Sequence, residues 1–116
     1  MVTRKPSVLI YCDGADGDCL NEVLCGIEEE GVPYEVQERR GGLDELAHSA
    51  ARESVLGSGI GMTEDGLAMQ MAALPLGRNV FELARPSFAQ CRALGANAAR
   101  AVKRRPFVEL TEEESR

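Results

Sequence analysis

One histidine, four cysteines and nineteen carboxylates are the side chains from which this chain could build a reactive site. A single imidazole, His48, excludes a multi-histidine metal centre and any scheme that needs two imidazoles. It lies among Ala, Leu and Glu, with no Ser or Cys nearby in a nucleophile motif, and reads as a packed or solvent-facing side chain. Cys12, Cys19, Cys25 and Cys91 form no C-x-x-C pair and no zinc-ligand pattern. Three of them sit in or beside apolar stretches, where a free thiol behaves as a small hydrophobe, so the expectation is structural thiols and no disulfide or redox role. Asp13-Gly14-Ala15-Asp16-Gly17-Asp18 has neither G-x-G-x-x-G nor a P-loop Lys-Ser/Thr. It sets three carboxylates where a phosphate needs amides and positive charge, and reads as an acidic turn. Gly57-Ser58-Gly59-Ile60-Gly61 permits close approach of a ligand or, more simply, tight packing or a bulge. No triad, carboxylate pair or oxyanion arrangement can be argued, so no catalytic residue is assigned and the chain is not read as an enzyme.

Glu28-Glu29-Glu30 is the most informative cluster. On a helix whose apolar stripe is Leu20, Val23, Leu24 and Ile27, Glu29 falls nearly opposite the stripe and Glu28 and Glu30 flank it. Three carboxylates in a last helical turn oppose the macrodipole, by a few tenths to about 1 kcal/mol each when exposed. The last helix does the reverse, ending in Arg100, Lys103, Arg104 and Arg105. Either the acidic turn is a solvated, frayed end, or it meets something positive. A hard cation is one candidate, but a single outward carboxylate is not a complete site, so any metal would be shared with a partner.

The elements that position these residues follow from the apolar pattern. Val8 to Tyr11 reads as a strand buried on both faces, and Asp18 to Glu30 as an amphipathic helix with Asp18 as N-cap and Gly31 and Pro33 as its stop. Tyr34 to Gln37 is a second strand, Leu43 to Arg52 a second helix, and Val55 to Met62 a glycine-rich third strand. Asp65-Gly66 signals a hairpin, with Leu67 to Met71 returning antiparallel. Asn79 to Leu83 is a further strand, and Ser87 with Gln90 has capping-box spacing for a last helix. The outcome is one α/β domain over residues 1–110, a three-layer sandwich on a mostly parallel sheet of four or five strands, followed by a charged, frayed tail at 111–116. A chain of 116 residues has room for one domain. With no Trp, two Tyr and three Phe, its core must be aliphatic. A net charge of -6 and a pI near 4.8 disfavour nucleic acid and anionic membrane surfaces. The apolar run after the basic N-terminus is too short for a signal peptide or a membrane span, so a cytoplasmic location is expected.

Two blocks carry a resemblance. One is Gly26-Ile27-Glu28-Glu29-Glu30-Gly31-Val32-Pro33, with Asn21-Glu22-Val23-Leu24 before it. The other is Leu94-Gly95-Ala96-Asn97-Ala98-Ala99-Arg100-Ala101-Val102-Lys103, followed by Pro106-Phe107. Between them Ala50-Ala51-Arg52, Ser54, Leu56, Gly59-Ile60-Gly61 and Leu74-Pro75 fall in the same order. From Val8 to Leu110 the chain resembles the small (beta) subunit of the diol and glycerol dehydratase reactivating factors. The family pattern often has Ser-Pro-Leu where this chain has Ser54-Val55-Leu56.

The resemblance implies a fold like that of the dehydratase's own beta subunit and a chaperone-like role without an active site. The implied partner is a large, Hsp70-like ATPase subunit in an α2β2 heterotetramer, with ATP and ADP bound on that subunit. The implied activity is release of damaged cobalamin from adenosylcobalamin-dependent diol or glycerol dehydratase by transient subunit exchange. It further implies that Glu29 is a single ligand to Mg2+ at the interface with the large subunit, and that this chain alone binds no cofactor. Neither the client diol nor association with a bacterial microcompartment is legible in the residues. The competing reading is a free-standing flavodoxin-like domain that binds a small molecule through the glycines at 57–61.

Overall fold

The computed structural model describes residues 5–110; the tail read at 111–116 lies outside the described residues. The elements run β1 (Val8–Asp13), α1 (Gly17–Glu29), β2 (Tyr34–Glu38), α2 (Leu43–Glu53), β3 (Ser58–Thr63), β4 (Gly66–Met71), β5 (Phe81–Ala84) and α3 (Phe88–Lys103). They build a five-stranded sheet in the order β2-β1-β3-β4-β5. β1 pairs parallel with both β2 and β3, while β4 runs antiparallel to β3 and to β5. The parallel expectation therefore holds for the β2-β1-β3 half. The other half is a meander, because β3 and β4, and then β4 and β5, are joined without a helix and can only turn back.

Alternate residues of β1 serve opposite layers. Val8, Ile10 and Cys12 enter the large core with Val23 and Ile27 of α1 and Cys91, Leu94 and Ala98 of α3. Leu9 and Tyr11 face the other way, into a smaller core with Leu46 and Ala50 of α2. All five residues from Val8 to Cys12 are buried, as a central parallel strand requires. Tyr11 is inaccessible to solvent, and its hydroxyl meets Glu53 at the end of α2. Arg39 caps that contact, its guanidinium 4.0 Å from the Tyr11 ring centroid and 3.0 Å from the Glu53 carboxylate.

Several boundaries differ from the sequence expectation for identifiable reasons. Asp16, not Asp18, is the N-cap of α1: its extended backbone lets Oδ1 accept from Asp18 N at 2.7 Å and Cys19 N at 3.3 Å. β3 starts at Ser58 and not Val55, because residues 54–57 form a turn in which Ser54 Oγ accepts from Leu56 N at 3.1 Å. Val55 is 66% exposed and belongs to no strand. The hairpin turns at Glu64-Asp65, with Gly66 already in β4 and its N–H donating to Thr63 Oγ1. β5 begins at Phe81 and not Asn79. The capping box of α3 forms as its spacing predicts, Ser87 N donating to Gln90 Oε1 and Gln90 N to Ser87 Oγ.

The thiol expectation is corrected for one pair. Cys19 and Cys91 are joined in a disulfide between α1 and α3, with Cα atoms 5.9 Å apart, while Cys12 and Cys25 are free. Burial pushes the Cys12 thiol up to about 11, with Glu38 adding to the effect. That places Cys12 among inert core thiols.

Candidate functional site

α1 and α3 lie side by side and run in the same direction. Cys19 faces Cys91 near their starts, Gly95 sits against Val23 and Gly26 against Arg92 and Ala96 midway, and Glu30 meets Arg100 and Lys103 at their ends. The approach requires glycine on both helices. A Cβ on Gly26 would fall on the Arg92 carbonyl oxygen and one on Gly95 on that of Val23, backbone atoms that cannot step aside. Parallel neighbours put their two negative C-terminal ends together, an unfavourable pairing unless cations gather there.

The cations come from α3 and the residues just after it. Arg100 Nε donates to Glu30 Oε2 at 3.0 Å, with Lys103 at 4.0 Å and Arg105 at 3.8 Å from Glu30 Oε1. Lys103 Nζ also donates to the Glu30 carbonyl at 2.6 Å, filling an acceptor left open by the helix end. Asn97, buried in α3, holds the following segment back against the helix through both its amide atoms and Val108. The positive partner of the acidic turn is thus in part the chain's own basic helix end, which the two helices had signalled separately.

Glu29 is placed differently. Its side chain is 54% exposed and directed away from the core, as the helical wheel predicts, and its Oε2 lies 3.3 Å from Arg92 Nη1. Arg92 is shared with Glu22 at 3.1 Å, and Glu22 foremost, then Glu29, holds the guanidinium above its ordinary value. Glu28 is exposed and makes no ion pair among the described residues. No group of three or more His, Cys, Asp or Glu able to hold a metal occurs among the described residues. Glu29 offers one hard oxygen donor on an open face, a donor type that suits Mg2+ as one ligand of a site completed elsewhere. Arg92 was missed in the sequence; it lies two residues ahead of the Leu94–Lys103 block, and only the packing of α3 on α1 brings it to Glu22 and Glu29.

The remaining sequence candidates resolve simply. Gly59 and Gly61 are covered by α2, since a Cβ on either would strike the backbone of Ala50–Ala51 or Ala47, so these glycines seat a helix and not a ligand. Asp13 Oδ2 accepts from Gly41 N at 3.1 Å, and Asp16 is a cap, so the acidic turn serves the loops around it. His48 is half-buried on α2, with Nδ1 unpartnered among the described residues. A cleft of about 260 Å³ opens at the carboxyl end of β3, lined by Asp16, Cys19, Thr63, Asp65, Arg85 and Phe88 among others. None of these groups forms a nucleophile–base pair.

The profile of the dehydratase medium subunit family matches residues 5–108. The chain is 41% identical over 111 residues to the diol dehydratase-reactivating factor small subunit of Klebsiella michiganensis, covering 93% of this chain and 88% of that protein. The chain belongs to this family, among the reactivating-factor small subunits. Solved structures agree at the level of the fold. A glycerol dehydratase reactivase chain superposes with a TM-score of 0.87 at 34% identity, over 92% of this chain and 100% of that one. A diol dehydratase-reactivating factor complexed with ADP and Mg2+ gives 0.85 at 34% identity, over 91% and 100%. The family profile carries the name of a dehydratase subunit, while the matching relatives are small subunits of dehydratase-reactivating factors. No helix among the described residues is long and apolar enough to cross a membrane.

Proposed function

We propose that this chain is the exchangeable adaptor of a reactivating factor for adenosylcobalamin-dependent diol or glycerol dehydratase. It pairs with a large ATPase subunit, which holds ATP and ADP, in an α2β2 assembly. It leaves that assembly so that the dehydratase subunit of like fold can take its seat, and the steric conflict that follows opens the dehydratase and frees the damaged cobalamin. The observation that carries this reading is that one family profile, that of a dehydratase subunit, fits nearly the whole of a chain whose relatives are reactivating-factor small subunits. Two proteins of one shape can compete for one surface. A related factor complexed with ADP and Mg2+ supports a nucleotide- and metal-dependent partner. On this chain the residue offered to that metal is Glu29, held half-exposed by Arg92.

Co-expression with a matching large subunit tests the reading. A stable complex at micromolar concentrations is expected, and added dehydratase should draw the small chain, or its own medium subunit, into exchange. Two folded partners that fail to associate would overturn the proposal. A clear thermal shift of the isolated chain with a nucleotide or cobalamin would favour a free-standing binding domain instead.

A further inference from the structure

We propose that Cys19 and Cys91 form a reversible dithiol–disulfide pair that exchanges with low-molecular-weight disulfides and thiols through Cys19. Three observations carry it. First, the two sulfurs are bonded across the helix pair, while Cys12 and Cys25 are free. Second, both belong to the opening turns of their helices: Cys19 N is bound by the cap of α1, and Cys91 N donates to the carbonyl of the cap residue Ser87 at 2.9 Å. Because α1 and α3 are parallel, their two positive ends coincide at this pair, just as their negative ends coincide at Glu30. Partial positive charge from two helix starts favours the thiolate, against the opposing Asp16 carboxylate that caps α1, and the thiolate is both the attacking and the leaving species in exchange. Third, the two residues differ in access: Cys91 is fully buried, whereas Cys19, also a core residue but 9% exposed, lines the cleft at the end of β3.

The chemistry balances in two steps. In the reduced chain the Cys19 thiolate attacks a disulfide RSSR, forming Cys19–S–S–R and releasing RS⁻. The Cys91 thiolate then attacks Cys19 Sγ, closing the protein disulfide and expelling the second RS⁻. The two thiols are oxidised by two electrons, RSSR is reduced to two RSH, and the two protons pass to the departing thiolates. In reverse, a thiol enters at Cys19 and frees Cys91. The cleft sets the preference among reagents: Asp16, Glu64 and Asp65 outnumber Arg85, so a cationic disulfide should enter faster than an anionic one. Closing the bond ties α1 to α3 at the end opposite the Glu29 face. This exchange does not depend on the identity of the partner subunit.

The full chain is equilibrated in cystamine–cysteamine buffers and, separately, in oxidised and reduced glutathione, then acid-quenched, denatured and alkylated. Two of the four thiols should be lost together as the buffer becomes oxidising and recovered together as it becomes reducing. Peptide mapping should join Cys19 to Cys91, and cystamine should react faster than oxidised glutathione. Cys91→Ser should stall with one cysteamine or glutathione on residue 19; Cys19→Ser should acquire none at residue 91. The wild-type titration stands even if either variant fails to fold. Four alkylatable thiols at every ratio, a pair that stays oxidised in excess reduced thiol, or a link involving Cys12 or Cys25 would overturn the proposal. Glutathione reacting as fast as cystamine would overturn entry through the cleft.

Discussion

Three consecutive glutamates end in three environments, and their order along the helix decides which. Glu28 faces solvent, Glu29 shares Arg92 with Glu22, and Glu30 turns inward with only 11% of its side chain exposed among Arg100, Lys103 and Arg105. Exposed pairs contribute about 0–1 kcal/mol, because water screens them, whereas removing one partner of an enclosed pair strands the other charges. Glu30→Gln should therefore lower stability by about 1–3 kcal/mol in urea unfolding, and Glu29→Gln by less than about 1 kcal/mol. The same Glu29→Gln chain should lose Mg2+-dependent affinity for the large subunit while its circular dichroism is unchanged. Unchanged association at low Mg2+ would remove Glu29 from that role. The outward placement of Glu29 was legible from helical phase. The inward commitment of Glu30 was not, because it depends on a helix seventy residues away in the chain.

At the scale of an element, α1 and α3 end differently. α1 stops on Gly31 at φ +75°, with its N–H donating to the Glu28 carbonyl, the turn that Gly31 and Pro33 predict. α3 reaches the same left-handed conformation at Arg104, φ 58°, where a side chain is disfavoured. Arg104→Gly should raise stability by roughly 0.5–1 kcal/mol, since Gly adopts the left-handed cap without the steric cost of a Cβ. A shift of the urea midpoint to higher concentration at constant slope is the expected result, and no shift would mean that the cost is relieved elsewhere. Helix starts were nearly legible, because Ser87 and Gln90 announce their own bonds, but Asp16 and Asp18 compete for one cap. Backbone conformation at Asp16 settled that choice.

Across the whole molecule, two unlike helix layers clasp one sheet. On one face α1 and α3 share the large core, and on the other α2 rests almost directly on β3. Gly59→Ala would drive a Cβ into the Ala50–Ala51 backbone, where overpacking costs typically about 1–3 kcal/mol or more. Gly17→Ala, with nothing within 4 Å of the added carbon, is the control. A drop in melting temperature confined to Gly59→Ala is expected, and equal effects would show that α2 can withdraw. Element types, their order and the family were determined by sequence, because apolar phase, caps and turn residues are local signals and the two motif blocks are contiguous. Tertiary structure alone decided what was distant in the chain. It joined Cys19 to Cys91, set Gly59 beneath α2, and brought the basic end of α3 to the acidic end of α1. The reason is geometric: periodicity tells which way a side chain points from its own helix, but only the packing of parallel helices on a common sheet tells what stands there to meet it.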